Sequence, residues 1–316
     1  MREITINKND AGQRIDKFLT KFLVNMPQSM LYKLMRKNCV KVNGKHIKEG
    51  GFMLTEGDNL KLYIKDEFFP DGAEKEPFMN IKPNLTIVYE DENIMLLDKK
   101  PGVNVHADDA GDTNTLIEHI KAYLYQKGEY DPASEQSFVP SLCNSIDRNT
   151  GGIVIAAKNA ESLRIMNQKI KDREMVKKYL LIATGILERK KARLSGYLFK
   201  DEKKKMVYVY DTPKKGAKTI VTDYKVLKEK DGNSLVEATL ITGRTHQIRA
   251  HFASIGHPLL GDGKYGSNKQ NRGSGFSHQA LYSYKLKFTF KTDAGILEYL
   301  DNMEFSVDKV DFAAKF

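Results

Sequence analysis

The chain has 316 residues, 41% apolar, 29% charged and 9% aromatic. This excludes disordered and fibrous classes, which lack the apolar area needed to offset the entropy of ordering, and the length suits about two domains. Apolar runs such as Ile153 to Ala157 fall far short of the ~20 residues that span a bilayer, and the N-terminus carries charged and amide groups where a secretory signal needs apolar ones. Only Cys39 and Cys143 are present, far apart, so neither a disulfide framework nor a thiolate metal site is expected, and both read as core residues. The expectation is a cytoplasmic, monomeric protein without a membrane partner.

Lys and Arg number 51 against 41 Asp and Glu, a net charge of +10 that suits a polyanionic partner. The excess is concentrated: residues 1 to 65 hold 13 basic and 6 acidic side chains, whereas residues 66 to 82 hold 2 and 5. Within the first stretch Ile15, Phe18, Leu19 and Phe22 recur at helical spacing, predicting an amphipathic helix. Ser29 reads as the N-cap of a second helix, with Leu31, Leu34 and Met35 on its apolar side and Lys33, Arg36 and Lys37 on the other. Val40 to Val42 and Lys45 to Ile47 flank Asn43-Gly44, a dipeptide suited to a type I′ hairpin, and Leu60, Leu62 and Ile64 alternate as a further strand.

The acidic segment 66 to 82 mixes turn formers without period and reads as a linker. Beyond it, strand patterns at 86 to 89, 93 to 97, 153 to 157, 179 to 183, 218 to 226, 235 to 241 and 284 to 290 outnumber helical ones at 115 to 125 and 160 to 170. They do not alternate strictly with them, which favours an α+β fold with a mixed sheet over a doubly wound parallel one. The lysines at 203 to 205 and 214 to 215 read as exposed loop charges.

Three segments can carry chemistry. Asp147 lies in the polar loop Asn144-Ser145-Ile146-Asp147-Arg148-Asn149-Thr150-Gly151-Gly152, which feeds a wholly apolar strand; it is either a turn-stabilising Asx group or a nucleophile or base. Tyr179 follows Val176-Lys177-Lys178 in a strand, as a core aromatic on its own pattern. Gly243-Arg244-Thr245-His246-Gln247-Ile248-Arg249 opens a helix for which Thr245 is the expected N-cap and Gly256 the stop. Unpaired amides beside Arg244 suit a phosphate, and Arg249 one turn on can meet a carboxylate; His246, Arg249 and His251 are otherwise helix-surface charges. Gly261 to Gly266 reads as a tight loop. The two histidines are five apart without a following Glu, against a zinc site, and no phosphate-binding glycine fingerprint indicates a nucleotide cofactor.

Arg14 to Leu19, the basic second helix and Val40 to Lys45 resemble the ribosomal-protein-S-four-like RNA-binding domain. The resemblance covers roughly residues 12 to 65 and implies that Lys33, Arg36, Lys37, Lys41 and Lys45 face structured RNA. Ile87 to Asn93 with Lys99-Lys100-Pro101-Gly102, the Asp147 loop, Lys177 to Leu180 and Gly243 to Arg249 together resemble the RluA family of RNA pseudouridine synthases over about residues 85 to 300. That similarity implies a mixed, mainly antiparallel central sheet with flanking helices, the pseudouridine synthase fold, at 83 to 316, preceded by the small α+β RNA-binding domain at 1 to 65 and the linker at 66 to 82.

It implies as well a catalytic set of Asp147, Tyr179 and Arg249, with Ile248, Arg244, His246 and Gln247 at the substrate, and no metal or other cofactor. The implied activity is an intramolecular isomerisation of uridine in structured RNA, with large-subunit ribosomal RNA the expected partner. The alternative is an RNA-binding ribosome assembly factor with weak or no activity. One departure stands out: where the family has His-Arg-Leu-Asp, this chain has Asn144-Ser145-Ile146-Asp147, and Ser145 cannot supply the lost cation.

Overall fold

The computed structural model describes residues 1–70, 76–107, 114–267 and 271–316. Residues 71 to 75 of the acidic stretch therefore lie outside the described residues. The chain forms two compact units, one of residues 1–83, 117–141 and 157–164, the other of 84–116, 142–156 and 165–316. No helix among the described residues is long and apolar enough to cross a membrane.

In the first unit α1 (Ile15–Phe22) buries Ile15, Phe18 and Leu19 of the predicted stripe and leaves Phe22 half-buried against them. Its one buried acid, Asp16, is held below the usual carboxylate range: burial opposes the charge, but hydrogen bonds from Arg14 and the Tyr32 hydroxyl outweigh it. The second helix, α2 (Gln28–Arg36), starts before the expected Ser29 cap. Pro27 is the capping residue, its ring presetting φ at −61° while its carbonyl accepts the amides of Met30 and Leu31. A four-stranded sheet runs β1-β4-β2-β3, with β1 at Arg2–Thr5, β2 at Val40–Val42, β3 at Lys45–His46 and β4 at Asn59–Leu62. Asn43 and Gly44 both take positive φ, 49° and 80°, as a type I′ turn requires. The edge strand β1 was not anticipated, because only Ile4 and Ile6 mark its inner face.

The segment read as a linker carries structure at both ends. A 3₁₀ turn at Asp66–Phe68 leads to Phe69, buried in the core with Phe18 and Leu62, and another at Pro77–Asn80 buries Phe78. Helix α3 (Leu116–Gln126) lies almost wholly in this unit, with Tyr125 and Tyr130 packed near Phe78.

The second unit is built on an eleven-stranded sheet among the described residues, in the order β11-β10-β12-β13-β9-β14-β8-β6-β5, with β15 (Glu304–Ser306) on β14 and β7 (Ser141–Leu142) on β8. The strands are β5 Ile87–Glu90, β6 Ile94–Lys99, β8 Gly151–Ala157, β9 Met175–Thr184, β10 Lys191–Asp201, β11 Met206–Tyr210, β12 Lys218–Lys230, β13 Asn233–Leu240 and β14 Leu281–Phe288. β10 and β11 were missed. Their aromatic outer positions and a lysine-rich turn mask the alternation of Leu194, Leu198 and Val207. Helices α4 (Ala160–Lys171), α5 (Gln247–Ser254) and α6 (Asp311–Lys315) complete the fold.

All seven residues of β8 are buried, which is why that strand is apolar without alternation. It joins β14 in parallel, Tyr282 opposite Gly151 and Ser283 opposite Gly152, whereas β14 pairs β9 antiparallel. The parallel pairing admits no side chain: a Cβ at Gly152 would lie 2.1 Å from the Ser283 carbonyl oxygen, one at Gly151 would lie 2.2 Å from the Tyr282 ring, and Gly152 has φ +114°. Both cysteines are free, as expected, but half-buried rather than fully buried, with Cys143 packed against the core of Ile94, Ile155 and Phe288.

Candidate active site

Four segments of the larger unit converge on a cleft of about 660 Å³, lined by Asp147, Tyr179, Arg244, His246, Ile248 and Arg249 among others. The first is the loop before β8. Asn144, standing where the similar family has His, accepts the Ile155 amide at 2.8 Å and pins the loop to the strand it feeds. The Thr150 amide closes a turn on the Asp147 carbonyl oxygen, so the carboxylate itself is not engaged in an Asx turn. On the other side the loop is tied to the turn after β6. Gly102 donates its amide to the Arg148 carbonyl and receives Arg148 Nε at 3.0 Å.

Buried Lys99 lies within the same knot. Its ammonium donates to the carbonyls of Arg148 (2.8 Å), Val103 (3.0 Å) and Lys100 (3.2 Å). Burial pushes its pKa down to about 8, against the attraction of Asp147 and Asp98.

The second segment is the turn into α5. Thr245 is exposed and makes no cap; His246 is the capping residue instead, in the left-handed region at φ 54°. Gly256 ends the helix as expected, with φ +83°. Gln247, implied at the substrate, is buried and turned inward: it accepts from Thr242 Oγ1 and the Arg244 amide and donates to Thr222 Oγ1 and the Val221 carbonyl. Its side chain holds the turn's shape and takes up the Arg244 amide that a phosphate seat would need. The Arg244 side chain is exposed at the cleft mouth. His251 is no surface charge either; it is buried against Thr222.

Arg249 is the hub. Its Nη1 donates to Asp147 Oδ2 at 2.7 Å, while Nε and Nη2 form a fork on Asp262 at 2.7 and 2.9 Å. Burial disfavours its charge, but the bonds and charges of Asp262 and Asp147 outweigh that and raise its pKa. Asp262 is fully buried and also accepts the amides of Lys264 and Tyr265, which together with Arg249 overcome burial and hold its pKa low.

The Tyr265 ring lies 5.1 Å under the guanidinium, and its hydroxyl meets His246 Nδ1 at 2.7 Å. His246 Nε2 is 3.8 Å from Asp147 Oδ2. Burial lowers the His246 pKa, reinforced by Arg249 and Lys264 and opposed by Asp147. Arg249 and His246 thus both face Oδ2, and Oδ1 receives no hydrogen bond among the described residues.

Tyr179 and Ile248 pack in one cluster with Leu281 and Ala238. Burial, with the Asp147 charge adding to it and a Ser283 hydrogen bond opposing, pushes the Tyr179 phenol up to about 12, so it is neutral at ordinary pH. Lys171, Arg173 and Lys177 line the same cleft as Ser145.

Sequence reasoning missed Asp262, Tyr265 and Lys99. The glycine-flanked loop 261 to 266 hinted at a fixed turn, but nothing in its spacing names Arg249 as the partner.

Comparison with known proteins gives the family and the fold. The RNA pseudouridylate synthase family pattern matches residues 93–254. The chain is 30% identical over 310 residues to an uncharacterized RNA pseudouridine synthase of Mycoplasma capricolum, covering 96% of each chain. It is 30% identical over 299 residues to ribosomal large subunit pseudouridine synthase C of Escherichia coli strain K12, covering 90% of this chain and 88% of that protein. Human RNA pseudouridylate synthase domain containing 4 shares the fold, with a TM-score of 0.57 and 19% identity over 72% of this chain and 90% of that one. The corresponding domain containing 1 gives a TM-score of 0.54 and 20% identity over 77% and 96%.

Proposed function

Since this chain belongs to the RluA family of RNA pseudouridine synthases, which are isomerases, we propose that it converts uridines of large-subunit ribosomal RNA to pseudouridine with Asp147 as the catalytic carboxylate. The observation that carries the reading is the Asp147–Arg249 ion pair at 2.7 Å in a cleft walled by Tyr179 and Ile248.

The reaction breaks the bond from uracil N1 to the ribose C1′, turns the base and joins C5 to C1′; the C5 proton leaves to solvent and N1, freed from the sugar, takes one up, so no atom is gained or lost overall. Asp147 is suited to attack the sugar or assist its opening through Oδ1, because Arg249 holds Oδ2 and fixes the carboxylate's orientation. Tyr179 and Ile248 flank the flat base. A buried phenol with its pKa near 12 serves as a neutral hydrogen-bonding wall rather than an anionic base. Reaching a base inside folded RNA requires extruding it, at a cost of a few kcal/mol. Arg173, Lys171 and Arg244 at the cleft supply cations for the flanking phosphates.

Residues 1 to 65 are proposed to dock structured RNA through Lys33, Arg36, Lys37, Lys41 and Lys45. Four of these are exposed, and Lys41 lies over the Tyr63 ring at 5.5 Å. The ribosomal substrate is supported by the similarity to the large-subunit enzyme of Escherichia coli.

The test is release of tritium from large-subunit ribosomal RNA transcribed with [5-³H]uridine. Wild-type protein should release label and Asp147→Asn should not. A wild-type protein that binds the transcript but releases none would favour the assembly-factor reading.

A further inference from the structure

The two strands that the sequence pattern did not disclose form a ribbon with two unlike faces. Leu198 and Val207 point inward and pack with Ile220 and Ala250. Alternate residues point the other way, and there the register sets Tyr197 opposite Tyr210 and Phe199 opposite Tyr208. Four aromatic side chains therefore share one half-buried outer face of the ribbon. Cross-strand aromatic pairs stabilise a sheet on their own, but such pairs do not call for a cationic surround.

This face has one. The two turns that flank it hold five lysines (203, 204, 205, 214 and 215), and residues 197 to 218 hold three acids (201, 202 and 211). All five are exposed, whereas Lys200 and Lys218 stand opposite Val207 and Leu198 on the other face. Lys214 lies over the rings themselves, its ammonium 4.1 Å from the Tyr210 centroid and 5.5 Å from that of Phe199. A planar base can take that place and release the ammonium to a phosphate.

The ribbon also adjoins the site. Lys264 donates to the Lys205 carbonyl, and the Val207 amide donates to the Tyr265 hydroxyl, tying its turn to the loop that holds Arg249.

We propose that the outer face of the β10–β11 ribbon is a single-stranded RNA platform, on which Tyr197, Phe199, Tyr208 and Tyr210 stack unpaired bases while the surrounding lysines contact phosphates. Alternating π-faces and cations are the chemistry that single-stranded nucleic acid recognises irrespective of sequence. The inference rests on the chain acting on RNA, not on the identity of its catalytic carboxylate.

The test uses the full chain and two probes, a fluorescein-labelled 20-nucleotide oligouridine and a 20-base-pair RNA duplex. Binding is followed by anisotropy between 50 and 300 mM KCl (about the range in which phosphate contacts dominate affinity). Tyr208→Ser should weaken oligouridine binding about five-fold or more and leave the duplex little changed. The double variant Lys203→Ala with Lys204→Ala sits in an exposed turn that cannot unfold the sheet. It should weaken oligouridine binding and lower the salt slope by about 0.7 for each phosphate no longer neutralised.

On tritiated ribosomal transcript the lysine variant should raise KM without changing kcat. Unchanged affinity and salt slope in the lysine variant would overturn the platform even if Asp147→Asn abolishes turnover, and so would a fall in kcat at constant KM. If the platform variants behave as expected while Asp147→Asn keeps its activity, the platform stands and the assignment of Asp147 falls.

Discussion

Arg249 Nη1 lies 2.7 Å from Asp147 Oδ2, a contact between residues 102 positions apart, and the same guanidinium grips Asp262 with its other two nitrogens. One planar group thereby sets the direction in which the candidate reacting oxygen points. Arg249→Lys keeps the charge but not the fork. Losing a charge-assisted hydrogen bond of about 1.5–3 kcal/mol in the transition state should lower kcat roughly 10- to 100-fold, with RNA affinity unchanged. Tritium-release kinetics alongside an RNA-binding isotherm check this, and an equal fall in affinity would show that Arg249 binds rather than positions.

Asp262 carries no proposed chemistry, yet its removal should be felt twice. Asp262→Ala leaves the buried Arg249 guanidinium without its fork partner, a change of the kind that costs about 3–5 kcal/mol. The unfolding free energy from denaturant titration should fall by that measure, and activity in the surviving folded fraction should fall as well. A variant that unfolds like wild type would mean that the Asp147 ion pair alone suffices to hold Arg249.

Lys177, two residues before Tyr179 on the same face of β9, makes stability depend on pH. Burial lowers its pKa from the usual 10.5 to about 8, against a small opposing effect of Cys143. Between those values the unfolded chain binds the extra proton, so stability contributed at this position rises with pH from about 8 to 10.5 and is at its poorest below 8. Lys177→Met should raise the melting temperature at pH 7 and flatten that rise. Scanning calorimetry from pH 7 to 10.5 reads both, and a parallel pH curve in the variant would sink the attribution.

The cations of α2 and the hairpin are open to the same treatment as any phosphate-binding surface. Lys33→Ala with Arg36→Ala and Lys37→Ala should weaken RNA binding and reduce the salt slope by about 0.7–0.9 for each phosphate left without its cation, depending on whether the RNA is single- or double-stranded. Melting temperature should hold, since all three side chains are exposed. A cationic surface that can be neutralised without altering the slope is not an RNA surface.

Much of the candidate site was legible because its parts fall in short runs with distinctive chemistry. On local pattern alone Asp147 reads equally as an Asx group and Arg249 as a helix-surface charge; it is the resemblance of their runs to the family's motifs that brings them together. Asp262 was not legible, because an ion-pair partner is chosen by tertiary packing. Lys99 escaped for a different reason: its ammonium binds backbone carbonyls, and a carbonyl looks the same under every side chain.

Thr245 was the natural cap on propensity, but Gln247 secures that turn from inside, leaving no need for one. In the sheet, β8 and β9 were recognisable because burial writes itself in apolar runs. The β10–β11 ribbon was hidden because its outward aromatic residues erase the polar half of the alternation.

Gly152 contains no chemistry, yet the alignment of the charged hub is inherited from it. The strand carrying Asp147's loop can lie in register with β14 only while no methyl group intervenes at that point. Even Gly152→Ala would wedge the two backbones apart directly below the loop, and a displacement of an ångström there is a large fraction of the 2.7 Å that separates Arg249 from Asp147. A residue without a side chain acts as the gauge block for the Asp147–Arg249–Asp262 assembly.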